Sequence, residues 1–195
     1  GTIRAGNTTG VGFELAGKLN NLQVDSGSKV KQGQILAVLD TRLLEAERQE
    51  IQASLAQTQA DVDLAISTLK RNQELKKSGY VSEQLLDENR SQLNSLAAAK
   101  NRLLASQHAN QLKLDKSILM APFDGTISQR LHNLGEVIAA GSPIFTLVGN
   151  INPEAYIGVP VALAEQFNTK QQVQVSLRDQ TFTAEIAGIS AEVNP

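Results

Sequence analysis

Few side chains in this sequence are of the types that do chemistry, and their spacing argues against most of it. There is no cysteine, which removes thiolate nucleophiles, disulfide frameworks and cysteine-based zinc sites. His108 and His132 stand far apart, and neither has a second imidazole three or four residues on, so a histidine-ligated metal has no local ligand set. Glu45, Glu47 and Glu50 run together with Arg48. An acid pair for proton transfer needs a pocket, whereas such a mixed run reads as a solvated helix face. "GVGFEL" from Gly10 lacks the third glycine and the following helix of a dinucleotide fingerprint. What remains is a basic cluster, Lys70, Arg71, Lys76 and Lys77, around the stretch "RNQELKKSGYVS". With a net charge of −2 and only 4% aromatic residues, the chain offers nucleic acid neither a general pull nor stacking platforms. An acidic protein rim suits the cluster better. The chain is read as non-enzymatic, with no cofactor and no metal.

The elements that must position the cluster are two long helices. Between Asp40 and Ala121 there is no proline and a single glycine, Gly79, among Ala, Leu, Gln, Ser, Lys and Glu, which are mostly good helix formers. Leu44, Ile51, Leu55, Val62 and Leu69 fall on an alternating three- and four-residue seam, with Thr58, Ala65 and Asn72 in the gaps; Leu86, Leu93, Leu96 and Leu103 repeat the pattern. These are the a and d positions of an antiparallel pair. With a reversal near Tyr80, facing residues have numbers that sum to about 161, which sets Leu69 against Leu93, Ile66 against Leu96, and Asn72 against Asn89. Each helix spans roughly 45–55 Å, so the hairpin should project from a body of this size.

Local chemistry specifies the reversal. Gly79 suits the left-handed residue that ends a helix, with Tyr80 and Leu75 as the pair that closes a Schellman end. Ser82 is a good N-cap, and Val81 with Leu86 can staple the second helix. Lys76 and Lys77 at one helix end, and Glu83 at the start of the next, match the helix dipoles.

Either side of the hairpin the text changes to short Val/Ile/Leu runs punctuated by turn residues, and the two flanks repeat. At a constant offset of 108, Gly17 matches Gly125, Gly27 matches Gly135, Gly33 matches Gly141 and Leu39 matches Leu147, while Val30 and Leu36 match Ile138 and Ile144. Neither half holds enough apolar area to fold alone, so two halves packed face to face should make a small sandwich. The hairpin is then an insertion that enters after Asp40 and leaves near Leu114.

With the split repeat, "LMAPFDGTI" at 119–127 and the inserted hairpin together, the chain resembles the periplasmic adaptor, or membrane fusion, proteins of tripartite efflux pumps, of the resistance-nodulation-division (RND) and HlyD-like kinds. The resemblance covers residues 11–150. It implies an α+β multi-module chain: a coiled-coil hairpin (41–113), a lipoyl-like β-sandwich in two halves (11–40 and 114–149) and an incomplete β-barrel (1–10 and 150–195). In the barrel, strands are read at 154–159, 172–177 and 181–189, with a short helix from Pro160. The family's hairpin tip carries an Arg, a Leu four residues on and a Ser seven beyond that, here Arg71, Leu75 and Ser82, supported by Gly79, Tyr80 and Val81. The resemblance gives them a TolC-type outer-membrane channel as partner. It also implies an inner-membrane transporter (RND-type favoured, an ABC exporter the alternative) and a ring of copies, commonly six. The location implied is the Gram-negative periplasm, with attachment to the inner membrane through a segment outside this chain, which is read as a core fragment. Two other readings compete. A lipoyl or biotinyl carrier would need a modifiable lysine at the junction of the halves, where "DTRLL" has none. A passive coiled-coil spacer would make no channel contact.

Overall fold

The computed structural model describes residues 2–4, 8–149, 154–160, 166–177 and 180–189, and these fall into two units, Ala5–Ile151 and Gly1–Arg4 with Asn152–Pro195.

The larger unit contains two four-stranded sheets. One has the order β2 (Thr8–Gly12), β9 (Pro143–Gly149), β7 (Gly125–Arg130), β4 (Lys29–Val30); the other runs β6 (Ile118–Met120), β5 (Ile35–Leu39), β3 (Gly17–Leu22), β8 (Val137–Ile138). Replacing each strand by its repeat equivalent turns one order into the other. The halves therefore do not stack as separate layers, as the sequence reading had them: each sheet takes strands from both. The buried core obeys the same repeat. Val11, Phe13, Leu19, Val30, Leu36, Ala37 and Leu39 each recur 108 positions later as Leu119, Ala121, Ile127, Ile138, Ile144, Phe145 and Leu147. Two of these pairs exchange volume, Phe13 for Ala121 and Ala37 for Phe145, so a large side chain in one half is offset by a small one in the other, as close packing requires. Thr8–Gly10, grouped with the barrel in the sequence reading, belong to the sandwich instead, because β2 pairs with β9 from Thr8 onward.

The hairpin, α1 (Arg42–Lys77) and α2 (Glu83–Lys116), rises between β5 and β6. These two strands are direct antiparallel neighbours, Val38 opposite Ile118. Beyond packing on each other, the helices touch the sandwich chiefly where α2 runs into β6. At this root Lys116 pairs with Glu14. Val62 and Leu86 are buried in the seam, and Leu44, Ile51, Leu55, Thr58, Ala65, Leu69, Leu93, Leu96 and Leu103 are half-buried. Asn72 Nδ2 donates to Asn89 Oδ1 at 3.3 Å, as the register predicts. Ile66 is 48% exposed and lies off the seam; the heptad position is Ala65. Near the root a second asparagine, the buried Asn110, donates to Leu44 O and to Glu47 Oε2, both at 3.0 Å. Polar pins at both ends of an apolar seam fix its register.

Asp40 closes the first helix's N-terminus. Its carboxylate accepts from the Arg42 guanidinium at 2.6 Å and from the Arg42 amide at 3.1 Å. These bonds, the guanidinium's first, hold its pKa down at about 2 against an ordinary 3.8. A depressed carboxyl adds stability above its unfolded value and loses it as pH falls through the folded value. Carboxyl NMR titration should therefore find Asp40 charged at pH 3 with a midpoint near 2, and Arg42→Ala should return the midpoint toward 3.8.

In the smaller unit, β1 (Thr2–Arg4) pairs antiparallel with β10 (Glu154–Tyr156), and β11 (Gln172–Leu177) pairs with β12 (Gln180–Glu185). Neither two-stranded sheet closes into a barrel among the described residues. The helix read after Pro160 falls largely on 161–165, outside the described residues.

Candidate docking tip of the hairpin

The reversal forms by the chemistry read from it. Gly79 has φ +80°, the left-handed conformation that glycine adopts without strain. The Tyr80 amide donates to Leu75 O at 3.1 Å and the Gly79 amide to Lys76 O at 2.9 Å, the paired bonds of a Schellman end. The apolar half of that motif does not form, since the Tyr80 side chain is 81% exposed. Ser82 Oγ accepts the Leu85 amide at 3.2 Å, which satisfies one of the second helix's orphan donors. Val81 is half-buried and Leu86 buried, as a staple requires.

The four cations of the tip are not equivalent. Lys76 pairs with Glu83 across the turn, and Lys77 with Glu74 at 2.8 Å. Lys70 and Arg71 are exposed and make no ion pair or side-chain hydrogen bond among the described residues. The sequence reading counted all four together. The signal that separates them was present: Glu74 lies three residues before Lys77, and Glu83 opens the facing helix.

Arg71 and Leu75, four apart on one helix, share a face. With Ser67, Lys70, Glu74 and Ser78 they line a shallow, open depression on α1. Leu75 is 41% exposed there. Ser82 is not part of that lining. It stands across the turn, exposed, with its oxygen engaged by the cap. The structure thus brings two of the three predicted residues together and sets the third apart. Behind Ser82 an acidic and polar strip runs up α2 through Glu83, Asp87 and Glu88, a feature the sequence reading passed over although its four-residue spacing was legible. One end of the hairpin therefore presents the unpaired cations Lys70 and Arg71 on α1, whereas on α2 Glu83 is engaged by Lys76 and Asp87 by Arg90 at 3.0 Å. Such a surface can grip a partner by charge and a small apolar contact.

Elsewhere, His132 Nδ1 lies 2.8 Å from Glu136 Oε2, and among the described residues no three His, Asp or Glu side chains cluster as a metal site would. No helix among them is long and apolar enough to cross a membrane.

Comparison with known proteins bears on the whole chain. A family model for the CzcB-like barrel-sandwich hybrid domain matches residues 7–149. A multidrug resistance protein MdtA from Xenorhabdus bovienii is 30% identical over 187 residues, covering 94% of this chain and 44% of that protein. Another MdtA, from Yersinia pestis, is 33% identical over 145 residues, covering 73% and 32%. The chain thus spans less than half the length of these curated relatives. The membrane fusion protein Spr0693 from Streptococcus pneumoniae superposes with a TM-score of 0.80 at 18% identity, covering 98% of this chain and 82% of that one, a likeness of fold.

Proposed function

This chain belongs to the family of CzcB-like barrel-sandwich hybrid domains, and from that premise we propose that it is the hairpin-bearing part of a periplasmic adaptor in a tripartite efflux pump. It joins an inner-membrane transporter, RND-type in this reading, to a TolC-type outer-membrane channel. The transporter supplies the energy, and the adaptor supplies reach and contact. Relatives named as multidrug resistance proteins support the assignment. The observation that carries it is the unpaired Arg71 beside the exposed Leu75, at the far end of a helical insertion anchored by adjacent strands. Arg71 serves as a forked donor to carboxylates or carbonyls of the channel, Leu75 as its apolar contact, and Ser82 as a short hydroxyl donor, with Gly79, Tyr80 and Val81 holding the turn. One tip is a small contact, so a ring of copies, six in this reading, supplies the affinity through multivalency. The site of action is the Gram-negative periplasm, at the inner membrane.

Tyr80 closes the turn through its amide, which any residue but proline supplies, and its side chain is largely exposed, so Tyr80→Cys reports on the tip with the cap intact. In the full-length protein within its cell envelope, a thiol-to-amine cross-linker at Tyr80→Cys should capture the outer-membrane channel. The exposed control Gln57→Cys, midway down α1, should not. Equal capture from both, or none with the channel present, would mean that the tip is not the docking point.

A further inference from the structure

The tip depression holds a carboxylate where the proposed contact wants none. Glu74 lines it together with Lys70, Arg71 and Leu75. On a helix, side chains three and four residues apart are neighbours. Glu74 is therefore within reach of Lys70 four residues before it, Arg71 three before it and Lys77 three after it. It takes only the last. Lys77 Nζ donates to Glu74 Oε1 at 2.8 Å and to Oε2 at 2.9 Å, while Lys70 and Arg71 have no ion pair among the described residues. The choice has a physical basis. A Glu placed before its base along a helix pairs better than one placed after it, because each group then lies toward the helix end whose dipole suits it. Glu74 precedes Lys77 and follows both Lys70 and Arg71, and Lys77 is the last residue of α1. With Lys77 removed, Lys70 and Arg71 are the partners that remain on the helix.

We infer that Lys77 is a positioning residue for docking: by holding Glu74, it keeps Arg71 free for the partner. The inference rests on the channel contact proposed above. A carboxylate of the chain's own on Arg71 would occupy the forked donor that a carboxylate or carbonyl of the channel uses, and an unpaired one beside it would repel an acidic rim. The Lys77 and Glu74 side chains are 71% and 63% exposed, and so exposed a pair contributes little to the stability of the fold. Its effect is on populations. An exposed pair three residues apart is weak, so without Lys77 the Arg71 guanidinium would sit on Glu74 in about half of the molecules. Halving the competent tips roughly doubles the apparent dissociation constant of each. Over a ring of about six tips, a twofold change in each compounds to tens of fold in the whole. Lys77 also suits the C-terminal end of the helix dipole, but that role does not depend on Glu74, so the two can be separated.

The test is a double-mutant cycle in the full-length protein, read by channel capture at Tyr80→Cys in the cell envelope. Lys77→Met keeps the aliphatic stem and removes the charge. With Glu74 present, it should lower capture about tenfold or more. With Glu74→Gln alongside, it should change capture by less than about twofold. The melting temperature should move by about 2 °C or less in either background. Equal losses of capture in both backgrounds would assign Lys77 to the channel or to the helix end itself, and no loss in either would mean that Glu74 does not reach Arg71; both results overturn the inference. A second measurement needs no channel. In NMR spectra of the chain, the Arg71 Hε proton should show contacts to the Glu74 Hγ protons in Lys77→Met and none in the unsubstituted chain. Their absence from Lys77→Met overturns the inference as well. The two measurements separate the readings. Capture that ignores Lys77 removes the role of Lys77 and keeps the channel contact. Arg71–Glu74 contacts in Lys77→Met, with no capture from the Tyr80→Cys parent, remove the channel contact and keep Lys77 as the group that frees Arg71.

Discussion

Arg71→Asp abolishes efflux complementation by the full-length protein and leaves the melting temperature of the chain unchanged within about a degree. The second half of this expectation follows from the structure. Arg71 is exposed and without an intramolecular partner among the described residues, and surface substitutions of that kind change stability by less than about 0.5 kcal/mol. The turn itself is held by Gly79, Ser82 and the Lys76–Glu83 and Lys77–Glu74 pairs, none of which involves Arg71. The first half follows from the proposed contact. Reversing a charge replaces attraction with repulsion at an electrostatically matched surface, and in a ring the loss is repeated at every copy, so a modest change per tip compounds. Arg71→Lys should retain part of the activity, because it keeps the charge and loses the fork. Lys77→Asp is the informative companion. Lys77 already pairs with Glu74, so its reversal should disturb efflux less than reversal of Arg71. Normal pumping by Arg71→Asp would remove the tip assignment.

Gly125→Ala lowers the melting temperature by about 6–12 °C, and Gly17→Ala, its repeat equivalent, lowers it far less. A Cβ on Gly125 would sit 2.4 Å from Val148 O and 2.9 Å from Leu147 Cδ1. The first is a backbone atom of the neighbouring strand β9, which pairs with Gly125 and cannot retreat without opening the sheet. Overpacking of this kind costs about 3 kcal/mol. At Gly17 the nearest atom is Leu39 Cδ1 at 3.1 Å, the end of a side chain that can turn aside. Thermal melts of the two variants rank them directly, and equal losses would show that steric fit in β7 is not what fixes Gly125.

Where the sequence was informative, the controlling chemistry was local. Gly79 and Ser82 each specify their conformation through bonds within a few residues, so the hairpin's reversal could be read residue by residue. The seam was legible because a heptad repeats many times over, and Ile66 was misplaced only because Ala65, a smaller residue, holds the heptad position. The offset of 108 correctly equated positions, but it said nothing about which strands pair. Pairing is a long-range choice, and a repeat of glycines and apolar residues is compatible with stacked halves as well as with the interleaved sheets found. The volume exchange between Phe13 and Ala121, and between Ala37 and Phe145, was equally invisible without the packing. At the tip the sequence supplied four cations and also the carboxylates, Glu74 and Glu83, that engage two of them.

The direct pairing of β5 with β6 has a consequence for how this architecture can change. Seen from the sheet, the whole helical excursion is the loop of a β-hairpin whose ends, Val38 and Ile118, face each other. The sandwich therefore senses only where the loop begins and ends. Its length is an independent variable, adjustable in steps of one heptad per helix, each adding about 10 Å of reach and returning the same face to the tip. A change of fewer residues rotates Arg71 and Leu75 away from their bearing even though the core never registers it. Such a part behaves as a gauge rod with fixed graduations, so chains of this design should differ in span by whole heptads and little in between.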